Sequence, residues 1–484
     1  MRLRAAVRVG SLVTLLAFLS MACGGMATED PPALAATADS ADRTATGTTS
    51  VDSTPGAGER AGPTAADAIA DIVGMLPTPA APGSRTPNLF ATEDAVYLSW
   101  LEPLEAEATA PASTQRGRFA LRFSTLEGDE WSAARTIAEG DDFFVNWADF
   151  PTLVASDGVL AAHWLRLNGG RGTAYDVMVT RSTDGGDTWS VPVTPHTDGT
   201  QTEHGFVSLV PETGGGFTAV WLDGRKYATA EDQAGREMTL RTASFDAAGN
   251  PGGETLLDGR ICDCCQTDAA VVGGTLVVVY RDRSPGEVRD IYSVRRTDGG
   301  WQEPVEVATD GWQIPGCPVN GPAIAAQAGN AAVAWFTMRN GIPEVRAAFS
   351  HDAGASFSEP VLIDSGRVEG VDASSPRAVS ALADSSTADR PIPLGRVDVV
   401  WTGPSHAAVF WMVARGAGAE LMMRRVHVDG RLDDPVPLAS TGSMRSSGFP
   451  RVARQGDRLV VAWTVPEDEL RSLQTAAIDL ARLQ

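Results

Sequence analysis

The stretch 151-PTLVASDGVLAAHW-164 decides how the chain is read. A proline opens it, Thr152–Ala155 form a short β-prone run, Asp157-Gly158 supply a tight turn, and Val159–Trp164 close on an aromatic. Two short apolar runs joined by Asp-Gly read as an antiparallel hairpin. The plan recurs as 87-PNLFATEDAVYLSW-100, 206-FVSLVPETGGGFTAVW-221, 268-DAAVVGGTLVVVY-280, 322-PAIAAQAGNAAVAW-335 and 450-PRVARQGDRLVVAW-463. A degenerate copy lies between Pro376 and Trp411. Starts fall roughly 50 to 70 residues apart, room for a four-stranded unit in each repeat. Seven units predict an all-β chain, a seven-bladed β-propeller of four-stranded antiparallel blades, with six blades as the alternative.

A second element follows the third strand of most units: 182-STDGGDTW-189, 350-SHDAGASF-357 and, more worn, 124-STLEGDEW-131 and 297-TDGGW-301. In the two good copies Ser182, Asp184, Gly186 and Trp189, and Ser350, Asp352, Gly354 and Phe357, suit a local turn. The Asp accepts backbone N–H bonds, Gly takes positive φ and the aromatic tucks beneath the hairpin. These residues are structural. With the hairpin repeat, they make residues 85–484 resemble the sialidase-like BNR/Asp-box β-propellers, a fold that also hosts other glycosidases and non-catalytic binders.

The N-terminus, MRLRAAVRVGSLVTLLAFLSMACGG, has a basic start, a short apolar core and small residues leading to Cys23. It predicts an export signal over 1–23, with 19-LSMACG-24 resembling a lipobox that would make Cys23 a lipidated residue. Soluble secretion is the alternative. Residues 24–84, rich in Ala, Thr, Ser, Gly and Pro, read as a disordered tether with a short helical segment at 65-AADAIADIVGML-76. The chain carries 39 Lys and Arg against 61 Asp and Glu, a formal net charge of −22. That excess argues against nucleic acid and leaves a lipid anchor as the membrane contact. A monomer without a cofactor is expected.

In a propeller, residues just before each blade's first strand and just after its second converge on one mouth of the central channel. Among these positions are Arg85, Trp147, Asp149, His204, Cys265, Asp268, Cys317, Arg445, 223-DGRKY-227 and 281-RDR-283. Arg225, Arg281, Arg283, Arg289 and Arg339, with His204, are candidates to hold a carboxylate, sulfate or phosphate through paired N–H donors. The other reading is that these arginines pair with neighbouring acids and knit the loops. The family resemblance implies an arginine cluster on an anionic glycan or glycoconjugate, and a glycosidase if the protein is an enzyme. It also implies an Arg-Ile-Pro opening and a Tyr nucleophile activated by a Glu. Here 85-RTPNL-89 has Thr in place of Ile, and none of the five tyrosines, Tyr97, Tyr175, Tyr227, Tyr280 and Tyr292, falls in the last two blades. The catalytic set is not identifiable. Asp268, Asp282, Tyr227 and Tyr292 are the weak candidates, and a non-catalytic carbohydrate- or protein-binding propeller is the alternative function.

Four cysteines remain beyond Cys23: Cys262, Cys264 and Cys265 in 260-RICDCCQTDAAV-271, and Cys317. An even count in an exported chain predicts disulfides. Connectivity is not readable from sequence; Cys262–Cys265 with Cys264–Cys317 is the pairing expected to carry least strain, and a bridge to Cys317 would stabilise by roughly 4 kcal/mol. The alternative is a soft metal ion such as Cu(I) or Zn(II) on the four thiolates, with His204 at the same rim. A redox centre is a third reading.

Overall fold

The structure, a computed structural model, describes residues 72–104, 114–115, 117–169, 174–231, 235–366, 374–375, 378–386, 390–467 and 470–483. The signal segment, Cys23 and most of the tether lie outside the described residues. Seven antiparallel sheets follow one another round a ring, each built innermost strand first. Blade 1 is Arg85–Ala91, Val96–Pro103, Phe119–Glu127 and Arg135–Gly140. Blade 2 is Thr152–Ser156, Val159–Leu167 and Tyr175–Ser182, with a Val179–Val193 bridge in the outer position. Blade 3 runs His204–Pro211, Phe217–Asp223, Met238–Phe245 and Thr255–Ile261. Blade 4 runs Asp268–Val272, Thr275–Arg281, Ile291–Thr297 and Val305–Ala308. Blade 5 runs Ala323–Gln327, Asn330–Thr337, Glu344–Ser350 and Val361–Ser365. An α-helix, Ala378–Ser385, precedes blade 6, which is Ile392–Gly403, His406–Arg415, Gly418–His427 and Val436–Gly442.

Blade 7 closes the ring. Its inner strands Arg451–Gln455, Arg458–Glu467 and Leu470–Asp479 come from the end of the chain, and its outermost strand is Val73–Leu76, paired in register Val73↔Ile478 to Leu76↔Thr475. The sequence puts this segment in a tether with helical character. The structure makes it a strand, because Leu470–Asp479 offers an open edge and Leu76 gains a buried site there. The folded ring therefore includes Ile72–Ser84, ahead of the expected boundary at residue 85.

The aromatic that ends each second strand is the core of its blade: Trp100, Trp164, Trp221, Tyr280, Trp335, Trp411 and Trp463 are all buried. Three of them also tie neighbouring blades together. Tyr280 donates to Asp258 at 2.6 Å, Trp335 to Asp310 at 2.7 Å and Trp411 to Asp364 at 2.8 Å, each acid lying on or just beyond the outer strand of the preceding blade. The serine-aspartate turns are local staples. Gly186 N–H donates to Ser182 Oγ and Thr188 N–H to Asp184, and Gly354 and Ser356 repeat the pattern on Ser350 and Asp352. Trp189 then meets Phe123 of blade 1 edge-on at 5.9 Å.

Around the axis, carboxylates clasp one blade to the next. Asp149 accepts from Phe206 N–H (2.8 Å), Asp268 from Ile324 N–H (2.9 Å) and Asp398 from Val452 N–H (2.9 Å). Inner strands of blades 1, 3 and 6 carry β-bulges at this rim, with Thr86, Phe206 and Arg396 in left-handed backbone at φ 51–54°. Such bulges re-aim side chains, and the strain that non-glycine residues bear there concentrates at functional sites. Trp147, Ala148, Phe150, Phe206, Val319 and Phe449 belong to one apolar cluster. Because they come from blades 2, 3, 5 and 7, their association sets an apolar plug across the axis. Gln266 laces the same level, donating to Ala148 C=O at 2.7 Å and accepting from Gly321 N–H at 3.0 Å.

Candidate functional site

The arginines singled out from the sequence do not form one cationic pocket. Arg281 is buried and spends its guanidinium on backbone carbonyls of Asn320 (2.9 Å), Arg289 (2.5 Å) and Phe336 (2.5 Å), beneath Trp312. Arg283 is neutralised by Asp263 and Glu287, both at 3.0 Å. Arg289 bonds Glu287 at 2.8 Å. Arg225 lies elsewhere, bidentate on Asp223 (2.7 Å) and paired with Glu254 (2.8 Å). Arg339 is exposed on a single turn between the second and third strands of blade 5. For Arg225 and Arg283 the loop-knitting reading is the one observed.

His204 is likewise not presented to a ligand. It is fully buried, stacked on His196 at 3.9 Å and 4°, with Asp198 at 3.2 Å, Asp223 at 3.7 Å and Asp176 at 3.8 Å. Burial works against a charge on the ring, yet donation from the ring to the Asp198 carboxylate and the fields of Asp223, Asp198 and Asp176 outweigh it and hold its pKa above the ordinary value. These carboxylates and imidazoles are grouped closely enough for a metal ion. The cation already present is Arg225, 3.5 Å from Asp198 as well as on Asp223.

The catalytic candidates are scattered. Asp268 is one of the blade clasps, and burial, opposed by Arg451, raises its pKa to about 6. Asp282 is also pushed up to about 6, by burial with Asp258 and Asp290 nearby. Tyr292 donates to Glu306 at 2.8 Å, but the pair sits on the outer strands of blade 4 and is exposed. Burial and that carboxylate raise the phenol rather than activate it. Tyr227 lies on a single turn with Arg236 over its ring at 5.7 Å, and burial with Asp263 and Glu203 raises its pKa well above the usual range. Neither phenol is poised as a nucleophile.

A cationic hollow does exist at the mouth, built from other residues. Arg85, Thr86, Val145, Asn146, Trp147, Ser446, Gly448, Thr464 and Arg471 line a small indentation where blades 7, 1 and 2 meet, partly open to solvent and with room for about one water molecule before side chains move. Burial and the neighbouring Arg471 push the Arg85 pKa down to about 9, and burial brings Arg471 to about 10. Arg396 at 5.0 Å and Arg445 at 5.8 Å also lie over the Trp147 ring. Arg396 bonds the carbonyls of Met444 (3.1 Å) and Gly448 (3.2 Å), and burial with Arg445 brings its pKa to about 9. Four guanidinium groups thus converge around one indole in an acidic protein. Arg85 and Arg445 occupy convergent positions that the hairpin repeat reveals. Arg396 sits on a bulge inside a strand and Arg471 on a third strand, where a strand-end rule does not look.

The cysteines form a second cluster beside the plug. Among the described residues no disulfide is formed, contrary to the expected pairing. The sulfurs of Cys262, Cys264 and Cys265 instead lie within 4.8 Å of one another, and Cys317 lies against Cys264. The arrangement follows from the loop: Cys262 N–H donates to Arg281 C=O at 3.0 Å, which ties the start of the Cys-Asp-Cys-Cys turn to the end of a blade 4 strand.

Fold and site define a ring-shaped propeller with a cationic hollow and a thiol cluster at one mouth. No family model matches the chain, and no curated protein matches it. Among solved structures, a Trypanosoma rangeli sialidase in complex with the inhibitor DANA is similar at 15% identity and a TM-score of 0.41, over 73% of this chain and 57% of that one. A mutant of the NanB sialidase from Streptococcus pneumoniae matches at 11% identity and 0.40, over 82% and 68%. The polysaccharide lyase Uly1 matches at 10% identity and 0.45, over 82% and 90%. The structural neighbours are thus sialidase and polysaccharide lyase propellers.

Proposed function

We propose that the protein binds an anionic saccharide or glycoconjugate at the channel mouth and does not cleave it there. The observation that carries this reading is the hollow in which Arg85 and Arg471 stand beside Trp147, Asn146 and Thr464. Two buried guanidinium groups, both lowered by burial and Arg85 also by the Arg471 charge, are relieved by a carboxylate or sulfate, and a guanidinium fork suits either group. The half-buried indole, stacked on Phe449, leaves part of its apolar surface for contact with a sugar ring, while Asn146 and Thr464 offer hydrogen bonds to hydroxyls. No carboxylate is among the lining residues described, so the general acid and base that glycosidic cleavage needs are missing from the hollow.

The test is calorimetric titration with uronate-containing and sulfated oligosaccharides, each beside its neutral counterpart. Binding is expected only for the anionic member, weakening as salt rises. Arg471→Ala should weaken it ~10–100-fold, the worth of a charged hydrogen bond, and Trp147→Ala should weaken it for every sugar. Equal affinity for charged and neutral partners, or wild-type affinity in a folded Arg471→Ala protein, would overturn the reading.

A further inference from the structure

The binding hollow leaves the cysteine cluster unexplained. It occupies the connection from the outer strand of blade 3 to the inner strand of blade 4, where Cys262 and Cys265 are buried and Cys264 is partly open to solvent. Three sulfurs within 4.8 Å of one another are close enough to share one ion. The intervening hard ligand is drawn away, since the Asp263 carboxylate is held by Arg283 at 3.0 Å. The imidazoles are occupied too, because His196 and His204 belong to the separate carboxylate cluster.

A second feature points to negative charge at this place. Arg289 is buried, and its Nε and Nη1 find no hydrogen-bond partner among the described residues although Nη2 is held by Glu287. An unpartnered buried guanidinium edge is costly unless an anion faces it. The groups whose field acts on it are Cys262, Asp263, Cys264 and Cys265. Arg281, anchored below by three carbonyls, adds its charge on Cys265.

We propose that Cys262, Cys264 and Cys265 form a three-sulfur site for a soft monovalent cation, Cu(I), with Arg289 as the charge-balancing residue behind it. Thiolate sulfur selects soft ions. A three-donor set suits Cu(I), whereas structural Zn(II) sites are four-coordinate and tetrahedral. Cys317 lies against Cys264 and is not a member of the group of three. Binding is a ligand exchange without electron transfer. The ion enters as Cu(I), each of the three cysteines donates a sulfur pair, and the three thiol protons leave to solvent. The resulting dianionic centre faces the guanidinium groups of Arg289 and Arg281. Partial exposure of Cys264 provides the way in.

The experiment is an anaerobic titration of the reduced full chain with Cu(I) in competition with bathocuproine disulfonate. One ion per chain should be withdrawn from the competitor. Cys265→Ser should lose at least ~10–100-fold in affinity, and Arg289→Gln a smaller share of the same range, as expected for a ligand and its outer partner. Cys317→Ser should bind as wild type. Circular dichroism and a thermal melt check that each variant is folded, and Cys264→Ser, at the partly exposed thiol, replaces Cys265→Ser if that variant fails. Copper left with the competitor, equal loss in Cys317→Ser and Cys265→Ser, or tighter retention of Zn(II) than of Cu(I), would each overturn the proposal. So would a chain whose thiols close to disulfides in air and fail to take copper after reduction.

Discussion

At the residue scale, the stacked histidines show how a short polar segment is fixed inside an apolar ring. His204 opens the inner strand of blade 3 and is enclosed by Asp198, Asp223 and Asp176. Its folded pKa lies above the unfolded value of about 6.5. A group shifted in this direction contributes stability fully below its unfolded pKa and loses that contribution as pH rises through the folded one. Thermal melts of wild type and His204→Gln should therefore differ most near pH 5.5 and converge toward pH 9. A gap that stays constant across that range would mean that the imidazole remains neutral in the folded protein. The residue scale is also where the sequence was least informative about the site. That Arg281 would end a strand at the mouth could be read from the hairpin repeat; that three carbonyls would surround its guanidinium could not, because they come from three separate segments. Arg396 was hidden for a different reason. A bulge turns it toward Trp147, and a bulge leaves no mark in a period-two pattern.

At the element scale, the hairpins were legible because their causes are local: alternation, an Asp-Gly or Gly-Gly turn, and an aromatic at a fixed offset. The lacing between hairpins was not. Gly321 precedes the inner strand of blade 5, and a Cβ there would stand 1.9 Å from the carbonyl oxygen of Gln266 in the preceding blade. Backbone cannot retreat as a flexible side chain can. Gly321→Ala should thus cost about 1–3 kcal/mol, the usual penalty of overpacking, read as a lower midpoint in urea. Because Gln266 reaches both Ala148 and Gly321, the same change should loosen the plug and weaken binding at the Trp147 hollow. An unchanged midpoint would show that the blade 4 and blade 5 loops separate freely.

At the scale of the whole molecule, the ring depends on a strand from the chain's beginning. The repeats announced a closed propeller, yet the closing strand carries no hairpin signature of its own and was read as linker. Val73–Leu76 is short and has one buried side chain, Leu76; what it contributes is cover for the edge of Leu470–Asp479. Exposed edges invite pairing with other chains. A chain starting at Pro77 should melt at lower temperature and form oligomers in light scattering, while adding back a peptide of residues 72–77 should partly reverse both effects. An unaltered melt and a monodisperse monomer would show that the ring holds without that strand.

The same closure bears on synthesis. Thr475 bonds to Leu76 across 399 residues of chain, so the earliest of the described strands to leave the ribosome waits for the inner three of blade 7 before its blade exists. Blades 1 to 6 can form in order as they emerge, but the circle stays open until blade 7 has been made. A premature stop anywhere upstream of blade 7 would leave an open arc of blades with two unpaired ends, and the hollow between blades 7, 1 and 2 would never be assembled. Completion of the hollow is in this way a report that blade 7 has been made and joined to its early strand.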